Sequence, residues 1–272
     1  MTQSSPANGE ATSVIDTTIA HSPRIWNYWL GGKDNYDVDR EVGDQFREVF
    51  PQIVDIARAS RAFLSRAVEH LAGDAGVRQF LDIGTGLPTA DNTHQVAQRV
   101  APTARVVYVD NDPVVLAHAR ALMLGSPTGL TTYIDADLHD PGRILDLAAH
   151  SLDLNQPVGL VLMNILGHFP DLGEARSIVS HLIGSLPTGS YLAIADGTNV
   201  IDGAAFDAAI AIWNQAGSLP YHLRKPEEIA LFFDGLELLE PGVVSCSLWR
   251  PTSTEVGLPA AVDEFCAVGR KS

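Results

Sequence analysis

Residues 79–110 constrain the fold of this chain more than any other stretch. They run from a short apolar segment (79–82) through Ile83-Gly84-Thr85-Gly86 into a helical stretch (91–100), and on to a second apolar segment, 105–110. A near-continuous apolar run is the mark of a strand covered on both faces. Two such strands joined by a helix form a parallel pair with a right-handed crossover. The alternation continues. Residues 114–124 suit a helix, 130–135 and 158–163 strands, and 189–196 a fifth strand. Leu172, Ala175, Val179, Leu182 and Leu186 mark one helical stripe, and Ile201, Ala205, Ala208, Ala209 and Ile212 another. The expected architecture is α/β, with helices on both faces of a mostly parallel sheet.

The two ends of the chain depart from this pattern. Residues 1–20 are rich in Ser, Thr and small residues and read as a disordered tail. In residues 21–75, Trp26, Tyr28, Trp29 and Leu30 suggest a short aromatic helix before Gly31-Gly32. Ile53, Ile56, Ala57, Ser60, Phe63, Leu64, Ala67 and Leu71 then line one face of a longer helix, with Pro51 in its first turn and Gly73 at its stop. This part is an N-terminal helical cap on a core of residues 76–272, the two forming one structural domain. At the other end, residues 226–233 read as a short helix. Residues 236–239 and 261–268 read as two last strands with no long helix between them, so the final one runs antiparallel. Residues 243–259 read as a long connection.

Net charge is −15, from 18 basic and 33 acidic residues. So acidic a chain lacks the basic footprint of a nucleic-acid or anionic-membrane binder. The longest apolar stretch, 158–166, is too short for a bilayer, and no signal-peptide pattern opens the sequence, so the expected location is cytoplasmic. Cys246 and Cys266 are the only cysteines and read as reduced core residues. The nine histidines show no ligand spacing, so no metal is expected.

The chemistry concentrates at strand ends. Gly84 and Gly86 let the backbone turn tightly and approach a ligand. The loop lies where open α/β sheets bind ligands, at the carboxyl end of the first strand. Asp110 ends the second strand, 24 residues after Gly86, and its carboxylate suits two ribose hydroxyls. It could equally cap the helix near Pro113. Asp137 follows the third strand and could accept from an adenine amine, with Asp135 and Asp140 as alternatives. A dinucleotide fingerprint needs a third glycine where Thr89 stands, and residues 84–94 hold no Lys or Arg for a pyrophosphate. S-adenosylmethionine carries no phosphate, and Asp82 suits its cationic amino-acid end. The expected cofactor is therefore S-adenosylmethionine, with S-adenosylhomocysteine as product.

The runs D-I-G-T-G, V-Y-V-D-N-D-P and D-A-D-L resemble motifs I, post-I and II of class I S-adenosylmethionine-dependent methyltransferases. Together with Arg24–Tyr36 (R-I-W-N-Y-W-L-G-G-K-D-N-Y), Phe80–Thr89 is similar to a bacterial family once filed as a domain of unknown function and now called S-adenosyl methyltransferase. The resemblance spans roughly residues 15–270 and implies a Rossmann-like, seven-stranded sheet with an antiparallel last strand. It implies that Asp82, Gly84, Thr85 and Gly86 form the methionine-side loop. Asp110 would hold the ribose, Asn111 would flank the adenine, and Asp137 and Leu138 would form the adenine pocket. Asn164 would lie beside the sulfonium.

His168, in the loop after the fourth strand, is the candidate general base; a structural histidine bonded to backbone is the plain alternative. Arg61, rather than Arg58, is the candidate partner of the cofactor carboxylate, although both could be solvated helix residues. Tyr28 and Lys33 are assigned to a lid hinged at Gly31-Gly32, with a static hydrophobic brace as the alternative. His94 reads as a helix-surface residue or a cofactor contact. Trp213, Tyr221 and Phe232 are candidate apolar lining, or core. The expected activity is methyl transfer to a small-molecule acceptor; oligomeric state is not legible. The alternatives are a non-catalytic S-adenosylmethionine-binding or regulatory protein and an NAD(P)-dependent oxidoreductase.

Overall fold

The computed structural model describes residues 16–89, 91–122, 128–215, 219–251 and 257–272, with side chains 119–122 excepted. Residues 1–15 of the expected tail, and 252–256 of the expected connection, lie outside the described residues. Three helices come first: α1 (Ser22–Trp29), α2 (Asp37–Val49) and α3 (Ile53–Gly73). Then β1 (Gln79–Ile83), α4 (Thr93–Val100), β2 (Arg105–Asp110), α5 (Pro113–Leu122), β3 (Leu130–Asp135), α6 (Pro141–Ala148) and β4 (Gly159–Met163) alternate. α7 (Leu172–Gly184), β5 (Tyr191–Gly197), α8 (Gly203–Gln215) and α9 (Pro226–Ala230) follow, with β6 (Glu237–Leu238), β7 (Val244–Ser245) and β8 (Glu264–Arg270) at the end.

The strand order is β3-β2-β1-β4-β5-β8-β6, with β7 also pairing with β8. β1 to β5 are parallel, and β8 runs antiparallel to β5, Tyr191 opposite Arg270 through Gly197 opposite Glu264. The sheet therefore has eight strands among the described residues rather than seven, because two residues of the expected connection pair as β7. The order reverses between β1 and β4, which opens a crevice at their carboxyl ends.

Alternation along each strand divides the core. Leu81, Val107, Leu160 and Leu192 pack on one face with α6, α7 and α9. Phe80, Val106, Tyr108, Val161 and Ala193 pack on the other with α3, α4 and Trp249. A third cluster joins α1, α2 and the start of α3 to α8 through Ile25, Trp29, Phe46, Phe50, Phe206 and Trp213. Phe50 and Phe206 stack with centroids 4.4 Å apart, and Trp29 lies 6.0 Å from Trp213.

Two helices were not anticipated. α6 begins at Asp140-Pro141, where Asp140 Oδ1 accepts the Arg143 N–H at 3.0 Å. Asp140, an alternative for the adenine, is thus a helix cap. α2 opens with Asp39, whose carboxylate takes the Tyr36 N–H at 2.8 Å and also pairs with Arg24 at 3.0 Å. α3 begins two residues after Pro51 rather than on it.

Candidate functional site

The cavity at the crevice has a volume of about 640 Å³, within the range of small-molecule sites. β1 delivers Asp82 to its floor. Burial pushes the Asp82 carboxyl up to about 6, although its Oδ2 accepts from Thr93 Oγ1 at 2.5 Å and the Arg61 guanidinium works in the opposite direction. Arg61 stands on α3, in the cavity wall, and has no hydrogen-bond partner among the described residues. Burial lowers its pKa while the Asp82 charge raises it.

Gly84 (φ +73°) and Gly86 (φ +62°) occupy the left-handed backbone region the turn needs. A Cβ on Gly84 would lie 2.8 Å from the Ile165 side chain. Asp110 anchors this loop. Its Oδ2 accepts the Gly86 N–H at 3.0 Å and its Oδ1 the Asp112 N–H at 2.9 Å. Burial nonetheless raises it to about 6, against those two hydrogen bonds. The helix-cap alternative falls to its neighbour: Asp112 Oδ1 takes the Val114 N–H at 2.7 Å.

Beyond the loop, Tyr108 and Tyr133 stack 4.8 Å apart in the cavity wall. His94 does not line the cavity. Its N–H and Nδ1 meet the Tyr108 hydroxyl at 2.8 and 2.9 Å, so it fixes that ring from behind. Asn111 lines the cavity and donates to Asp137 Oδ2 at 3.2 Å. Asp137 itself is engaged by His139, and Leu138 is buried in the core beneath β3 and α6. Neither is among the residues that line the cavity, so the structure does not bring these two expected adenine contacts to its wall.

After β4, Asn164 adopts φ +54° and faces the cavity with Ile165 and His168. His168 Nδ1 lies 2.8 Å from the Pro220 carbonyl, an acceptor, so Nδ1 carries the proton and Nε2 the lone pair. Burial lowers the His168 pKa, more than the Pro220 carbonyl and the Asp196 charge raise it.

The roof comes from residues 19–23 and from Trp26, Asn27 and Leu30 of the cap. Arg24, fully buried, pairs with Asp39 and donates to the carbonyls of Asp16 and Ile19. Residues 16–20 are therefore held rather than free. His21 Nδ1 meets Asp112 Oδ2 at 3.2 Å, joining this strap to the β2 loop.

Tyr28 and Lys33 do not enter the cavity. The Tyr28 hydroxyl donates to Asp44 at 2.8 Å, and Lys33 is exposed. A Cβ on Gly32 would lie 2.4 Å from the Asn27 amide, which also takes Asp34 N–H and Asn35 Nδ2. Gly32 thus lets the turn close over Asn27. Arg58 is exposed beside Asp55. Trp213 and Phe232 are core, and Tyr221 lies beneath the floor, its hydroxyl on Asp196 and 3.1 Å from the Gly197 N–H.

Ala57, Ser60 and Leu64 escaped sequence reasoning as site residues, although they reach the cavity from the stripe already visible on α3; Leu219 and Pro220 line it from the loop after α8. Asp196, near the end of β5, is ion-paired with Arg224 at 3.0 Å.

These features fit S-adenosylmethionine: an open guanidinium for a carboxylate, a desolvated Asp82 for an ammonium, and Asp110 for a ribose. The mostly parallel sheet with its antiparallel β8 is the fold of a class I, Rossmann-like methyltransferase. An O-methyltransferase family protein from Burkholderia thailandensis has this fold, at a TM-score of 0.52 and 16% identity over 90% of this chain and 76% of that one. The chain belongs to the S-adenosyl methyltransferase family, whose model matches residues 8–272, and S-adenosylmethionine is the cofactor of such an enzyme.

A DUF574 family protein from Streptomyces avermitilis MA-4680 is 43% identical, with a TM-score of 0.89 over 94% of this chain and 99% of that one. A structure from Thermobifida fusca YX is 36% identical, with a TM-score of 0.84 over 93% and 95%. No curated protein gives a significant match. Among the described residues no helix is long and apolar enough to cross a membrane, and no group of three or more metal-ligating side chains occurs.

Proposed function

We propose that the protein transfers a methyl group from S-adenosylmethionine to a small-molecule acceptor, with His168 as general base. The observation that carries this reading is that His168 lines the same cavity as the glycine loop, Asp82 and Asp110; the Pro220 carbonyl on its Nδ1 leaves the lone pair on Nε2. When bound, the cofactor supplies an electrophilic methyl carbon, which takes the acceptor's lone pair while the carbon–sulfur pair stays on sulfur, leaving S-adenosylhomocysteine.

Arg61 and Asp82 would hold the carboxylate and ammonium of its amino-acid end, and Asp110 the ribose hydroxyls. Asn111 would flank the adenine, and Asn164 the reacting end. Gly84, Thr85 and Gly86 leave the floor open to them. His168 takes the proton the acceptor loses, and its lowered pKa keeps it neutral for that task. The remaining work is alignment of the acceptor with the methyl group, a large rate term by itself. The cavity volume of about 640 Å³ and the net charge of −15 favour a small acceptor over a nucleic acid.

Calorimetric titration of ligand-stripped protein with S-adenosylmethionine, S-adenosylhomocysteine and NAD tests the cofactor. The first two bind on this reading and NAD does not; NAD alone binding would overturn it. Release of labelled S-adenosylhomocysteine with any acceptor removes the non-catalytic alternative.

A further inference from the structure

Charge is distributed unevenly in the cavity wall. Arg61, Asp82, Asp110 and Asp112 come from α3, β1, the end of β2 and the turn after it, and His21 meets Asp112 there. The wall contributed after β4 is different. Asn164, Ile165, His168, Leu219 and Pro220 line it, and among the described residues no Asp, Glu, Lys or Arg after β4 joins them. Asp196, which holds the Tyr221 hydroxyl, is spent on Arg224 at 3.0 Å and does not line the cavity. The end that carries His168 therefore offers a charged ligand no counter-ion.

A second, smaller cavity lies against this end. Its volume is about 30 Å³, more than the roughly 10–15 Å³ that one water needs. Ser22, Trp26 and Asn164 line both cavities. The other walls of the smaller one are mainly rings and branched side chains, Trp29, Phe206, Ile210, Trp213 and Tyr221 among them. Tyr221 packs edge-on against the His168 ring, centroids 5.2 Å apart, so Trp26 and His168 stand at the same end. Space with such a lining stays dry and accepts apolar atoms.

The edge of the main cavity is apolar too. Leu219 is 64% exposed and Ile19 49%, and both line it. Single exposed apolar side chains are ordinary, but two at the edge of one cavity form an apolar entrance. The Leu219 backbone is pinned. Its carbonyl accepts from Trp213 Nε1 at 3.0 Å, and Tyr221, two residues on, exchanges hydrogen bonds of 2.8 and 3.0 Å with the Asn214 side chain. Between them, the Pro220 carbonyl holds His168. The segment that presents Leu219 to water is thus the one that orients the proposed base.

We infer that the methyl acceptor is an uncharged aromatic molecule, its ring held by Trp26 and Leu219 at the His168 end of the cavity, with the smaller cavity taking an apolar edge of that ring. Aromatic and aliphatic walls favour such a ring, whereas a carboxylate or ammonium there would lose its hydration without a partner. The inference rests on the methyl-transfer reading above and narrows it to a substrate class.

The test compares 2-naphthol with 6-hydroxy-2-naphthoate, which has the same ring and hydroxyl plus a carboxylate. Binding is measured by ligand-observed NMR with S-adenosylhomocysteine saturating, so that the cofactor's own subsites are filled, and again without it. The expected result is that 2-naphthol binds more tightly by about tenfold. In nitrogen-15 spectra the Trp26 indole N–H, one of four and assigned by its loss in Trp26→Phe, shifts when 2-naphthol is added. Leu219→Lys changes an exposed side chain and sets a cation at the entrance. It should narrow the tenfold preference by about two- to fivefold, the worth of an exposed ion pair.

Failure of S-adenosylhomocysteine to bind would count against the cofactor reading alone. The two naphthol probes, the Trp26 signal and Leu219→Lys would still decide the acceptor class on the free protein. Absent binding of 2-naphthol, equal or tighter binding of the naphthoate, a Trp26 signal that stays in place, or a preference unchanged in Leu219→Lys would each overturn the proposal.

Discussion

On the proposed reading, cofactor affinity turns on Asp82 and Asp110. Both sit at strand ends, both are raised to about 6 by burial, and neither is in a salt bridge among the described residues. An ammonium and two ribose hydroxyls favour the ionised carboxylates, so their pKa values fall on binding and protons are released below that point. Affinity for S-adenosylhomocysteine therefore rises as pH increases from about 5 through 6, and levels off above about 7. Calorimetry in buffers of different ionisation enthalpy reads the released protons directly. Asp110→Asn keeps one acceptor oxygen but loses the charge. It should weaken binding about ten- to a hundredfold, the worth of a charged hydrogen bond, and flatten part of the pH dependence. An unchanged affinity would remove Asp110 from the ribose.

The elements divide into those legible from periodicity and those set by contacts distant in sequence. β1 to β5 and α3, α4, α5, α7 and α8 follow apolar spacing and stand where the sequence places them. α2 was missed because its apolar face is only Val42, Phe46 and the flanking Phe50, whose partners Phe206 and Trp213 lie some 160 residues further on. β7 is two residues long and exists only through pairing with β8. The site divides in the same way. The glycine loop, Asp82, Asp110, Asn164 and His168 reach one cavity because strand ends converge by topology, and Arg61 reaches it from α3. Leu138 turns into the core, and Tyr28 turns away toward Asp44; no spacing rule decides the face of a loop residue. The cap depends on its aromatic seam. Phe46→Ala should cost about 3–5 kcal/mol and lower the Tm accordingly, as expected for a buried aromatic. A shift within 1 °C would show that the cap is not coupled to α8.

At the scale of the whole molecule, burying carboxyls makes stability depend on pH. Asp82, Asp110 and Glu264 have folded pKa values of about 6, 6 and 7, above their unfolded values. The folded state binds more protons than the unfolded state in this window, so the ligand-free protein gains stability as pH falls from about 8 toward 5. His94 and His168 oppose this, because burial lowers their pKa values and makes protonation costly in the fold. Burial raises Asp196 as well, so four raised carboxyls against two histidines set the net sign, and the charge of −15 acts in the same direction as it shrinks. Thermal melts should show a higher Tm at pH 6 than at pH 8 without ligand. Saturating S-adenosylhomocysteine should narrow that gap, since it stabilises the carboxylates it contacts. A lower Tm at pH 6 in the ligand-free protein would contradict the desolvated state of these groups.

The most direct measurement is a crystal structure of the complex with S-adenosylhomocysteine. The predicted result is one ligand in the cavity between β1, β2 and β4, its carboxylate on Arg61, its ammonium by Asp82, its ribose on Asp110, and its sulfur toward Asn164 and His168. A ligand bound elsewhere, or in this cavity with its ribose away from Asp110, would contradict the account.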